Sequence, residues 1–292
     1  GVWWGLLFSM LNWGFKRMRR IIQGSKNWRP IISVFCMADR EEESESTLEI
    51  GRRISNYQGL TMVNILKPQK SEDPQYFIPE GSRIIDVPDD DFDNAITSIL
   101  QSSVPGGFQT NTALLHIDPR INNINVIERI INMQKNVLLY KHGIIRNPDS
   151  RRIDIWWKGE ENGNIMALLS YIMGRSDRRE KRPEKTVRLI RKLFKGEERE
   201  KAEGELQRLL DNARLKGEIL VIPEDDSPIH KTIEEVSADA LLIMMGMPGE
   251  KQGGLTRLFA LNKLVFTREL EKFRSLPPLL FVKAYMVMEL FE

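Results

Sequence analysis

The feature that most constrains this chain is an alternation of short, uninterrupted apolar runs with amphipathic stretches long enough to form helices. Residues 31–35 (IISVF), 60–66, 83–87, 112–117 and 137–141 are apolar runs with little polar interruption. Residues 41–57, 91–101 and 124–134 carry apolar side chains at helical spacing; Leu48, Ile50, Ile54 and Tyr57 fall on or near one face of the first. A strand without polar alternation has to be covered on both sides. Helices on both faces of a parallel sheet provide that cover, so the expected class is α/β with mainly parallel strands.

Residues 143–151 interrupt the pattern with Gly, Asn, Pro, Asp and Ser and read as a linker. The alternation then restarts: strand 153–157, helix 162–173, a stretch 186–194 that is either strand or helix, helix 197–215, strand 219–222, helix 229–236, strand 241–245, helix 255–273 and strand 279–286. The expected organisation is an N-terminal connecting helix (1–26), a first α/β subdomain (27–142), the linker (143–151) and a second α/β subdomain (152–292), each subdomain with its own sheet. No clear sequence repeat relates the halves.

Residues 1–15 are dense in large apolar side chains and are followed by Lys16, Arg17, Arg19 and Arg20. A signal peptide carries its positive charge before the apolar run, and this run is shorter than the ~20 residues of a spanning helix. As a helix it places Trp4, Leu7, Phe8, Leu11, Phe15 and Met18 at three- and four-residue spacing. Three readings stay open: a helix buried in the domain or a dimer, an interfacial helix, or the remainder of a membrane span.

The formal charge of +2 gives no global field for nucleic acid or a membrane surface, and nucleic acid is not an expected partner. With 41% hydrophobic and 29% charged residues the chain has the composition of a folded domain. One cysteine, Cys36, excludes an internal disulfide and fits a reducing compartment.

Motifs for chemistry are scarce. Neither a GxxxxGK[ST] loop nor a GxGxxG fingerprint follows a strand. His116, His142 and His230 do not pair with one another or with cysteine at ligand spacing, so no metal, cofactor or catalytic group is expected. The acidic runs Asp89–Asp91 with Asp93, and Glu224–Asp226, read as helix caps. The basic stretch 175–195 reads as a solvated loop, with contact to acidic lipid headgroups as the other possibility. Trp156 and Trp157 are adjacent on a strand and so face opposite sides, one into a core and the other free to anchor an interface.

Several segments resemble the cytoplasmic domain of the cation–chloride cotransporters, the sodium-potassium-chloride and potassium-chloride carriers. Asn27-Trp-Arg-Pro30 entering the first strand, Arg152-Ile-Asp-Ile-Trp-Trp157 followed by an apolar helix, and Ser237-Ala-Asp239 with a following strand and Met247-Pro248 carry the likeness; the tryptophan-containing segment is the most specific. Gly159-Glu-Glu-Asn-Gly163 departs from the family's acidic turn, and the phosphorylation insertions of animal members are not evident, which suggests a prokaryotic member. The resemblance implies a universal-stress-protein-like fold in two subdomains at the cytoplasmic face of the cell membrane. It implies a regulatory and dimerising role beneath the transporter's own membrane domain, with possible contact to the membrane surface. Trp3, Trp4, Phe8, Trp156 and Trp157 are the interface candidates. The alternative is a nucleotide-binding sensor of universal-stress-protein type, for which Cys36, Asp39, Val87 and Asp118, at strand ends, are the pocket candidates.

Overall fold

The computed structural model describes residues 28–55, 59–69, 76–102, 109–121, 123–174, 185–247 and 271–287. The expected helix over 1–26 lies outside the described residues, as does most of the one expected over 255–273. The strands are β1 (Ile31–Met37), β2 (Leu60–Pro68), β3 (Arg83–Val87), β4 (Thr112–His116), β5 (Asn136–Lys141), β6 (Arg152–Trp156), β7 (Thr186–Lys192), β8 (Gly217–Ile222), β9 (Leu242–Gly246) and β10 (Leu279–Lys283). The helices are α1 (Glu41–Ser55), α2 (Phe92–Gln101), α3 (Asn123–Asn132), α4 (Glu160–Gly174), α5 (Arg199–Ala213) and α6 (Ile229–Val236).

Local chemistry accounts for several boundaries. α1 opens on Glu41, Glu42 and Glu43 and closes on Arg52 and Arg53, both favourable to the helix dipole. The Asp91 carboxylate caps α2 by accepting from the Asn94 N–H at 3.2 Å. The ambiguous stretch after residue 185 is a strand. Its arginines do not oppose burial, because Arg188 pairs with Asp154 and Arg191 with Glu197 and Glu205.

All strands lie in one ten-stranded sheet of order β3-β2-β1-β4-β5-β10-β9-β6-β7-β8. Neighbours are parallel except β5 and β10, which run antiparallel with Leu139 opposite Phe281. The second half repeats the order of the first, and the two meet edge to edge about a pseudo-two-fold axis at the β5–β10 pair. Backbone hydrogen bonds repeat with it. Leu60 N–H donates to Pro30 O at 3.0 Å as Thr186 N–H does to Arg151 O at 3.0 Å. Ile117 N–H to Tyr140 O at 2.9 Å is matched by Met247 N–H to Val282 O at 2.8 Å.

This corrects the expectation of two separate sheets. The sheet runs through the boundary, and so do both cores. One face carries α1, α4 and α5, packed through Ile50, Ile54, Ile165, Leu169, Leu206 and Leu210. The other carries α2, α3 and α6, through Phe92, Ile96, Val126, Ile130 and Ile233. The physical reason is that β5 and β10 are apolar on both sides and would each be an open edge in an isolated half. The linker is tied down as well: Ile144 N–H donates to Leu276 O at 3.0 Å, and Ser150 Oγ–H to Asp239 O at 2.5 Å.

Candidate functional site

In an open α/β sheet, ligands collect at the carboxyl ends of strands where the order reverses. In the first half that place is the crevice between β1 and β4. There Arg120 grips two carboxylates: Nη1 and Nη2 donate to Asp39 at 2.7 and 2.9 Å, and Nε and Nη2 to Asp118 at 2.9 and 2.8 Å. The Arg120 N–H adds a bond to Asp118 Oδ1 at 2.8 Å, closing the Asp118-Pro-Arg120 turn. Burial pushes the Asp118 carboxyl up, but the hydrogen bonds and charge of Arg120 outweigh it and hold the pKa below the ordinary value. Arg120 is raised in turn, first by its hydrogen bond to Asp118. Its guanidinium also sits over the Phe92 ring, 5.3 Å from the centroid.

Asp39 and Asp118 therefore meet, as their positions at strand ends suggest, but through a cation that sequence reasoning missed. The available signal was an arginine two residues after the strand-end aspartate. Cys36 and Val87 do not join them. Cys36 is buried beneath α1, its thiol hydrogen-bonded to Ser44 O at 3.5 Å and pushed up to about 12 by burial. Val87 is buried at the end of the edge strand β3, with β2 between it and β1. A nucleotide's phosphates would face two carboxylates here, and the arginine between them is already engaged.

The corresponding crevice of the second half, between β6 and β9, is bridged by Asn162. Its Nδ2 donates to Met247 O at 2.7 Å and its Oδ1 accepts from Ala284 N–H at 2.9 Å.

A second polar cluster lies on β6. Asp154, 0% exposed, accepts from Arg188 Nη2 at 2.6 Å and Nε at 3.1 Å, and from Arg152 Nε at 3.0 Å. Arg188 Nη2 also donates to Val236 O at 2.7 Å, placing a cation at the C-terminus of α6. Trp156 Nε1–H donates to Ser237 Oγ at 3.1 Å. On the opposite face Trp157 packs against α4, with the Arg191 guanidinium 4.9 Å from its ring centroid. Both tryptophans are only 7% exposed. The interface expectation for Trp156 and Trp157 is thereby corrected: alternation sends one indole into each core, and neither remains as a surface anchor. Trp3, Trp4 and Phe8 lie outside the described residues. Among the described residues no group of three or more His, Cys, Asp or Glu is arranged to hold a metal, and no helix is long and apolar enough to cross a membrane.

No family model matches the chain, and no curated protein matches it either. Solved structures do. The cytoplasmic domain of a prokaryotic cation chloride cotransporter superposes with a TM-score of 0.54 at 14% identity, covering 88% of this chain and 96% of that one. A universal stress protein from Archaeoglobus fulgidus DSM 4304 gives a TM-score of 0.45 at 11% identity over 86% of this chain and 96% of that one. A putative universal stress protein from Pseudomonas aeruginosa UCBPP-PA14 gives 0.45 at 11% over 87% and 92%. At these identities the first likeness is one of fold: a mainly parallel α/β sheet flanked by helices.

Proposed function

We propose that this chain is the cytoplasmic regulatory and dimerisation domain of a cation–chloride cotransporter, acting beneath a membrane domain of the same protein and without catalysis, cofactor or metal of its own. The observation that carries this reading is that the segments behind the sequence resemblance, 153–157 and 237–239, are joined by the Trp156–Ser237 hydrogen bond within a fold matched over 88% of the chain. Residues that differ from ordinary core residues only because they hold one another are the ones a shared fold would keep. Among the described residues Cys36 is held as a neutral thiol and Asp39 and Asp118 are engaged with Arg120, which supports a non-catalytic role.

The test is rubidium uptake by cells expressing the full-length protein that carries this chain. The expected result is chloride-dependent uptake, reduced when Asp154→Asn loosens the domain. Uptake indifferent to chloride would overturn the reading. The sensor alternative is tested by calorimetry: millimolar or undetectable ATP affinity is expected, and micromolar affinity, abolished by substitution at Asp39 or Asp118, would favour it instead.

A further inference from the structure

On the sheet face that carries α1, α4 and α5, the pseudo-two-fold axis matches α1 with α4 and leaves α5 without a counterpart among the described residues. In the second half α5 follows β7 and covers β7 and β8 through Leu206, Leu209 and Leu210. In the first half its place falls to residues 69–82. Of these, 76–82 are described and are not helical, and 70–75 are too few for a helix of 15 residues. Tyr76 and Phe77 cover the C-terminal end of that face, where Phe77 N–H donates to Ala38 O at 2.8 Å and Lys67 lies over the Tyr76 ring at 5.1 Å.

The exposure of matched residues registers the difference. Leu60 and Thr186 are equivalent, since their N–H groups donate to Pro30 O and Arg151 O, the residues ahead of β1 and β6. Counting from them, Ile65 matches Arg191, and the strand partners of these two, Ile84 and Val221, match each other. Val221 is 4% exposed beneath α5, whereas Ile84 is 49% exposed. Ile84 is in register with Ile65, which belongs to the core under α1, so its side chain stands on this same face.

We propose that the N-terminal apolar segment, residues 4–18, docks as a helix on this face of β2 and β3, in the place that α5 takes on β7 and β8. Of the three readings open for that segment this is the first, and it does not rest on the transporter assignment. The chain enters from the required side: Trp28, the first described residue, packs against the core of this face, and Pro30 lies beside β2 through its bond with Leu60. Direction agrees. α5 leads to Gly217 at the start of β8 and so ends at the N-terminal edge of the strands; a helix over 4–18 leading to Trp28 ends at that edge too. Spacing agrees as well. Trp4, Leu7, Phe8, Leu11 and Phe15 repeat the three- and four-residue intervals of the buried face of α5. Lys16 and Arg17 then fall in the last turn, where the helix dipole favours cations. The residues from 19 to 28 reach up to about 30 Å, against about 10 Å from β1 to β3.

Hydrogen–deuterium exchange read by mass spectrometry on the 292-residue chain tests this. The variants are Ile84→Glu and Leu11→Glu, with Ile145→Glu, at an exposed linker position, as the control. In the parent, peptides from residues 4–18 are expected to be protected at every protein concentration. Ile84→Glu sets a charge against the apolar stripe and is expected to speed their exchange roughly tenfold or more. Leu11→Glu is expected to speed exchange in β3, and the control to change neither. Ile84 is half exposed, so β1 and β4 are expected to stay protected in its variant. If they do not, Leu11→Glu decides, and no rise in β3 exchange overturns the docking. Four other outcomes overturn it: exchange of 4–18 at the rate of an unstructured chain, protection that Ile84→Glu leaves in place, protection lost on dilution, which marks docking on a second copy, and protection that appears only with phosphatidylcholine–phosphatidylglycerol vesicles.

Discussion

The indole N–H of Trp156 reaches the hydroxyl of Ser237, 81 residues later in the chain, at 3.1 Å, and both residues are buried. The bond pins the end of α6 to β6 and so couples the two motifs by which the second half is recognisable. Trp156→Phe keeps most of the apolar volume but leaves the Ser237 hydroxyl without its donor. The expected loss is about 1–2 kcal/mol. Trp156→Ala opens a cavity as well and is expected to cost about 3–5 kcal/mol. Urea unfolding midpoints of the two variants measure the difference. A Trp156→Phe midpoint unchanged from the parent would show that the hydrogen bond contributes nothing.

Asp154 is enclosed by two arginines, and breaking a buried pair from one side leaves the other charge uncompensated. Asp154→Asn is expected to destabilise by roughly 3–5 kcal/mol, whereas replacing the pair together, Asp154→Leu with Arg188→Met, is expected to recover much of that. A double-mutant cycle by denaturant titration reads the coupling. Additive losses would contradict a direct interaction.

His116 ends β4 with its Nδ1 buried and unpartnered among the described residues, and burial lowers its pKa from 6.5 to about 4. The neighbouring charges of Glu43 and Asp118 oppose that shift, and those of His142 and Arg40 assist it. A histidine whose folded pKa is depressed binds its proton more readily when unfolded. Its contribution is therefore complete above pH 6.5 and is lost as pH falls toward 4. The ceiling for this loss is on the order of 3 kcal/mol. Unfolding free energies measured across that window are expected to fall less steeply in His116→Gln than in the parent. Parallel slopes would count against the linkage.

Two helical glycines make opposite demands. A Cβ on Gly163 would overlap the indole nitrogen of Trp157, whereas one on Gly204 meets nothing within 4 Å. Gly163→Ala is expected to destabilise by about 1–3 kcal/mol through overpacking. Gly204→Ala, exchanging a poor helix former for the best one, is expected to stabilise by about 0.5–1 kcal/mol. Thermal unfolding of both, with near-ultraviolet circular dichroism to follow the tryptophans, separates the packing effect from the propensity effect.

Much of this protein is carried by local pattern. Residues 83–87 and 229–236 have the bounds expected from their runs, and Asp91 caps α2 from within the acidic run that reads as a cap. These depend on near neighbours: apolar spacing, capping carboxylates, helix-dipole charge. The same pattern places Asp39 and Asp118 at strand ends. It does not show that Arg120 joins them, because a guanidinium is as readily solvated as paired until the strands are side by side. Nor does it separate Trp156 and Trp157 into two buried faces rather than a core and a surface, since alternation alone leaves open what covers each side. The union of the halves is also tertiary. Asn136–Lys141 and Leu279–Lys283 are apolar on both faces and could complete two separate sheets as readily as one. The partner of a strand's free edge is chosen by backbone groups that are the same in every residue, so only the assembled geometry decided that β5 lies against β10.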